Sequence, residues 1–259
     1  EMDMRMTMID VMYAPTKDLT LMVMGTYVSK DMTLNTYAAM MDRNLLGTFK
    51  TSSSDLSELT LSALRTISDM DNSKWHAEVS LQKSLGNNDQ TGLVLTPMDT
   101  EMNMILPYAM QPSDKATRLI LGLNNSRKLS DKVSWINQAR FKKVLDKKEW
   151  ALGDQLELNS WVQYQYKSSL SLSARLKFVS QKAISGLNRM IMAPVQTANP
   201  ENYGGDELHI GLGANYDLNS LTSKQDVFGV EILFPVIQDK NGLQMETKYQ
   251  IVVGFNRSF

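Results

Sequence analysis

Apolar and polar residues alternate one for one along most of the chain, and turn-forming residues interrupt the alternation at roughly 10–14-residue intervals. The pattern predicts strands at 1–13, 18–30, 56–68, 74–86, 115–127, 131–144, 154–167, 169–181, 206–217, 226–237 and 243–259. In 169–181, Leu170, Leu172, Ala174, Leu176 and Phe178 share one face, while Ser171, Ser173, Arg175 and Lys177 share the other. The last strand places Tyr249, Ile251, Val253, Phe255 and Phe259 together and turns Glu246, Lys248, Gln250, Gly254, Asn256 and Ser258 the other way. Long helical periodicity is absent, so the expected class is all-β.

Short links alternate with longer ones. Tight links fall at 14–17, 69–73, 129–131, 167–168 and 219–224, each rich in Pro, Asn, Asp or Ser. The long links are 31–55, 87–114 and 182–205. A membrane-spanning antiparallel up-and-down β-barrel has this asymmetry, with tight turns at one end and long extracellular loops at the other. An apolar-out, polar-in closing strand that ends in an aromatic resembles the terminal strand of bacterial outer-membrane β-barrels. The resemblance implies that Tyr249, Phe255 and Phe259 form the signal read by the barrel-assembly machinery. It also implies a Gram-negative outer membrane, with lipid and lipopolysaccharide around the wall. Eleven strands are legible, and such barrels normally have an even number. A barrel of about twelve strands is therefore expected, with its first strand and loop preceding Glu1, as a single domain over 1–259.

Hydrocarbon offers no hydrogen-bond partner, so the polar face must turn inward. This assigns Glu78, Arg118, Arg140, Glu157, Arg175, Lys177, Glu207, His209, Glu231, Glu246 and Lys248 to the lumen. Charges of both signs in a barrel wider than eight strands allow either a polar channel or a lumen closed by cross-pairing. Tyr13, Tyr27, Trp75, Trp135, Tyr164, Tyr166 and Tyr216 near strand ends fit an interfacial girdle.

Methionine is the compositional outlier, with 18 residues. Asp10 should face inward and takes its even-numbered neighbours with it, which groups Met4, Met6, Met8 and Met12 with Met22 and Met24 of the next strand. Three readings stand: adaptable filler, a polarizable path for a hydrophobic or aromatic solute, or a soft-metal site. Neither His nor Cys accompanies these methionines, so no metal site is assigned. A register slip of one residue would turn the whole patch to lipid.

The remaining composition narrows the function. Net charge is −1, which gives no basic footprint for nucleic acid. No run approaches the ~20 apolar residues of a spanning helix. Cysteine is absent, so there is neither a disulfide framework nor a thiolate site. The two histidines, His76 and His209, lie in no lipase or protease motif, and neither G-x-S-x-G nor a P-loop occurs. No enzyme and no cofactor is expected.

The segments Tyr13-Ala14-Pro15-Thr16-Lys17-Asp18-Leu19-Thr20-Leu21-Met22, Leu106-Pro107-Tyr108-Ala109-Met110-Gln111 and Asn202-Tyr203-Gly204-Gly205, with the methionine-rich start, are similar to the outer-membrane channels labelled as the meta-pathway phenol-degradation type. That family continues its loop motif with a Gly-Ser-Gly-Thr-like run, where this chain has Pro112-Ser113-Asp114-Lys115. The resemblance implies a monomeric barrel that admits small solutes, hydrophobic or aromatic ones among them. The rival reading is a closed structural or adhesion barrel whose loops bind a partner. Loop 87–114 is apolar for an exposed segment, so Met102, Met104, Leu106, Tyr108 and Met110 are expected to fold over the mouth as a constriction.

Overall fold

The computed structural model describes residues 1–39, 43–191, 196–218 and 226–258. Phe259 and the link at 219–224 therefore fall outside the described residues. The strands are β1 (Met2–Thr16), β2 (Leu19–Tyr37), β3 (Leu45–Met70), β4 (Ser73–Ser84), β5 (Thr91–Leu95), β6 (Glu101–Ile105), β7 (Thr117–Lys128) and β8 (Val133–Asp146). They continue with β9 (Trp150–Ala151), β10 (Gln155–Lys167), β11 (Leu170–Gln181), β12 (Ser185–Gly186), β13 (Gly205–Asp217), β14 (Asp226–Lys240) and β15 (Gln250–Arg257). Eleven of them form one antiparallel sheet in the order β1-β2-β3-β4-β7-β8-β10-β11-β13-β14-β15, curled into a half-barrel. A small hairpin, β5–β6, and a two-residue pairing of β9 with β12 lie outside that wall.

The edges of the sheet are β1 and β15. Every neighbour is antiparallel, so the two edges run in the same direction. Lys248, just before β15, approaches Glu1, just before β1, with Nζ to Oε1 at 3.7 Å.

Sidedness follows the pleat. Leu21 pairs with Tyr13 and Ala63, and Leu172 with Tyr164 and Ala214, keeping apolar groups together on the outer face. Leu156, Leu158, Val162, Leu176, Ile210 and Leu212 are all exposed there. Such a surface is untenable in water and suited to acyl chains. Tyr13, Trp135, Tyr164, Tyr166 and Tyr216 ring this face near the short turns.

Three differences from the sequence pattern matter. First, the segment read as a loop at 31–55 is mostly strand: β2 runs on to Tyr37 and β3 starts at Leu45. Thr, Ser, Asp and Lys dominate both faces there, so no apolar alternation betrays the strand. Second, β15 begins at Gln250, not at 243. Its ladder with β14 stops at Leu233–Gln250, two residues short of Pro235, which has no N–H to continue it. The segment before it is held through Gln238, whose Oε1 accepts from the Thr247 N–H at 2.8 Å. Glu246 and Lys248 consequently sit in an exposed connection and not on a lumen strand, and Tyr249 lies just before the closing strand. Third, the register of β3 slips between Glu58 and Leu56, leaving Ser57 as a bulge. Below it Glu58, Thr60 and Ser62 face in; above it Thr51 and Ser53 do.

Candidate functional site

The concave face of the wall is polar. Its charges meet across the wall: Arg140 and Glu78 reach over β7 at 3.0 Å and Arg175 and Glu231 over β13 at 3.1 Å, while Lys177 and Glu157 at 3.5 Å and Lys240 and Glu207 at 3.0 Å join adjacent strands. His209 is buried and its Nε2 lies 2.9 Å from Glu207 Oε2. Gly122 lies under the Glu78 side chain, where a Cβ would stand 2.7 Å from Oε2, so the carboxylate can lie flat on the wall. Arg175 also stacks over the Trp161 ring at 5.0 Å.

The even positions of β1 and β2 share this face. Met4 pairs with Lys30, Met6 with Val28, Met8 with Thr26 and Met12 with Met22, while Met24 lies opposite Asp10.

Residues 106–114 cross the mouth at the long-loop end. Leu106 and Met110 are fully buried, and Tyr108 nearly so. Met104 is half-buried and Met102 exposed, because β6 projects in a hairpin that rests on β3. Of the five residues expected to form a constriction, Leu106, Tyr108 and Met110 are thus the buried ones. Lys30 Nζ donates to the carbonyls of Ala109 and Gln111, both at 2.7 Å. Ser53 Oγ donates to the Met110 carbonyl, and Ser57 Oγ to the Pro112 carbonyl at 2.8 Å. The β3 bulge makes this possible by aiming Ser53 and Ser57 at one segment.

The far end of the plug is fastened to the opposite side. Asp114 forms a buried ion pair with Arg118 and accepts from the Leu152 N–H at 2.9 Å. Burial opposes ionisation of Asp114, but the hydrogen bond and charge of Arg118 and the N–H groups of Ala116 and Leu152 outweigh it, holding the carboxyl below the usual range. The Tyr203 hydroxyl accepts from the Ala109 N–H at 2.9 Å and donates to the Thr197 carbonyl at 2.7 Å. The Tyr108 hydroxyl accepts from the Asn188 N–H at 3.0 Å. Burial pushes both phenols up. Tyr108 packs edge-on against Trp150 and Tyr203, with centroids 4.8 and 5.9 Å away, and Ile184, Ile191 and Ala198 complete the cluster.

Under this roof lies a cavity of about 290 Å³ bounded by β1, β2, β3, β4, β7, β8, β10 and β11. Of the charged lumen residues named from sequence, Arg118 lines it. Lys30, Glu58, Lys142, Trp150 and Tyr203 also line it and escaped the sequence reading. Lys30 and Lys142 had a signal, since each shares strand parity with a residue already turned inward, Met24 and Arg140. Trp150 sits in an irregular link and had none.

A curled antiparallel sheet, apolar outside and charged inside, with long loops folded over one end, is the fold of an outer-membrane β-barrel. No protein-family model matches the sequence, and neither does any curated protein. Among solved structures the chain is similar to the NanC porin, with a TM-score of 0.54 and 8% identity over 99% of this chain and 94% of that one. It is also similar to an outer-membrane channel from Pseudomonas putida F1, with a TM-score of 0.58 and 14% identity over 97% of this chain and 81% of that one. At these identities the likeness is one of fold.

Proposed function

We propose that the chain is an outer-membrane channel through which small solutes, including hydrophobic or aromatic ones, diffuse passively past an inward-folded loop. The observation that carries this reading is the cavity between the 106–114 segment and eight consecutive strands, lined by charged, polar and aromatic side chains. A scaffold needs no such space, and interior side chains would fill a narrower barrel. The motif Leu106–Gln111, shared with the phenol-degradation type of channel, forms the plug itself, which supports a related role. The inner methionines, Met4 and Met6 at the cavity wall, supply polarizable apolar surface along an otherwise polar route.

An enzymatic role finds little support. Among the described residues, neither His76 nor His209 is hydrogen-bonded to a serine or threonine hydroxyl, and no three His, Asp or Glu side chains converge as metal ligands. In this reading the barrel works as a monomer in lipid and lipopolysaccharide. The assembly machinery recognises its C-terminal segment through Tyr249, Phe255 and Phe259.

The density of plug anchors favours a second reading, a closed barrel whose loops bind a partner. Planar-bilayer recording separates the two. A channel gives stable unitary currents that rise when residues 93–112 are deleted; a closed scaffold stays silent, and silence in both proteins would sink the channel reading.

A further inference from the structure

The cavity beneath the plug has a roof and walls of different character. Tyr108, Trp150 and Tyr203 make the roof aromatic. The charged walls carry Lys30, Arg118 and Lys142 against Glu58 and Asp114, so cations outnumber carboxylates. Arg118 and Asp114 satisfy each other. Lys30 is directed at two carbonyls. Lys142 differs: among the described residues it makes no hydrogen bond and no ion pair, and at longer range Glu58 and Glu157 attract it while Arg118 and Arg140 repel it.

Trp150 adds an independent signal. It is 1% exposed, it lines the cavity, and its Nε1–H has no acceptor. Leaving a buried donor unmade is costly, so such groups are normally satisfied. The cavity therefore presents a lysine Nζ and an indole N–H, both without partners, beside aromatic and thioether surface. A volume of about 290 Å³ is at the low end for small-molecule pockets, which limits the occupant to about one ring.

We propose that this cavity is a binding site for a small organic carboxylate with a single aromatic or compact apolar body. The carboxylate is held by Lys142 and Trp150 Nε1, and the body lies against Tyr108, Met4 and Met6. The inference rests on the lumen that also carries the channel reading, and it names the solute class that this lumen selects. A carboxylate brings two acceptor oxygens to two unused donors. A neutral ring would leave Lys142 unpaired, and a cation would be repelled by it.

The test is equilibrium binding to the full chain in detergent, with benzoate, benzyl alcohol and acetate as probes. Benzoate should bind about tenfold or more tighter than either of the others, the size of one charge-assisted hydrogen bond. Lys142→Gln should lose that advantage over benzyl alcohol, and Trp150→Phe should reduce it while keeping the ring. A heat-modifiable shift on a detergent gel certifies that each variant is folded. Equal binding of benzoate and benzyl alcohol to the unaltered protein overturns the proposal, as does a preference that survives Lys142→Gln. Acetate binding as tightly as benzoate would reduce the site to a plain anion site and also overturn it. Conductance is scored separately: a conducting protein without the preference keeps the channel role and loses this site, whereas a silent protein with the preference does the reverse.

Discussion

Lys30 of β2 reaches the carbonyl of Ala109 with its Nζ at 2.7 Å, joining positions 79 residues apart in the chain. This contact and its twin to Gln111 at 2.7 Å tie the plug to the barrel wall. Lys30→Met keeps the length of the side chain and removes both donations. The plug should loosen, and unitary conductance in planar bilayers should increase. An unchanged current would mean that the segment is held without Lys30.

Asp114 and Arg118 fasten the other end of the plug. Arg118→Leu leaves a carboxylate buried without its partner, a change that costs about 3–5 kcal/mol in comparable pairs. The loss should be local, read as protease cleavage between 106 and 116 while the wall stays protected.

The same pair sets a pH dependence. The Asp114 carboxyl is held below its ordinary value, so its contribution is present above the unfolded value of about 3.9 and is lost as pH falls through the lower folded value. Plug opening should be unaffected between about pH 7 and 5 and should rise only in stronger acid. Asp114→Asn should open more readily already at neutral pH and show no such acid step.

The strands were legible because one face of each must be apolar, and the strict alternation of 170–178 leaves a single solution. The upper parts of β2 and β3 were not, since a strand clear of the bilayer is polar on both faces. The bulge at Ser57 was equally hidden: an inserted residue inverts parity without leaving a compositional mark. The plug was found from its apolar residues in a long loop, but its anchors Lys30, Ser53, Asp114 and Tyr203 are defined by tertiary contacts alone.

The hydroxyl of Tyr203 links the plug to the loop that follows β12. Tyr203→Phe removes an acceptor and a donor while preserving the ring. Each lost hydrogen bond is worth about 1 kcal/mol. Amide exchange at Ala109 should accelerate, whereas exchange in β7 and β8 should not change.

The assignment of faces can be checked on adjacent strands. Leu172→Arg puts a charge on the exposed apolar surface, and Gln163→Arg puts one inside. In folding titrations into liposomes, the first should cost about 2–4 kcal/mol if the position is near the bilayer midplane, and the second much less. Equal costs would mean that the two surfaces are not divided between lipid and lumen.

The paired charges of the inner wall shape what a solute meets after the roof. Glu78 with Arg140, Glu157 with Lys177 and Glu231 with Arg175 cancel one another within about a hydrogen-bond length, so their fields fall away steeply with distance. To a passing molecule they act as a belt of oriented dipoles, not as a charged ring. Such a belt exerts torque more than attraction. In the proposed channel, sign is sorted at the entrance, and below it the descent is governed by how a polar solute turns.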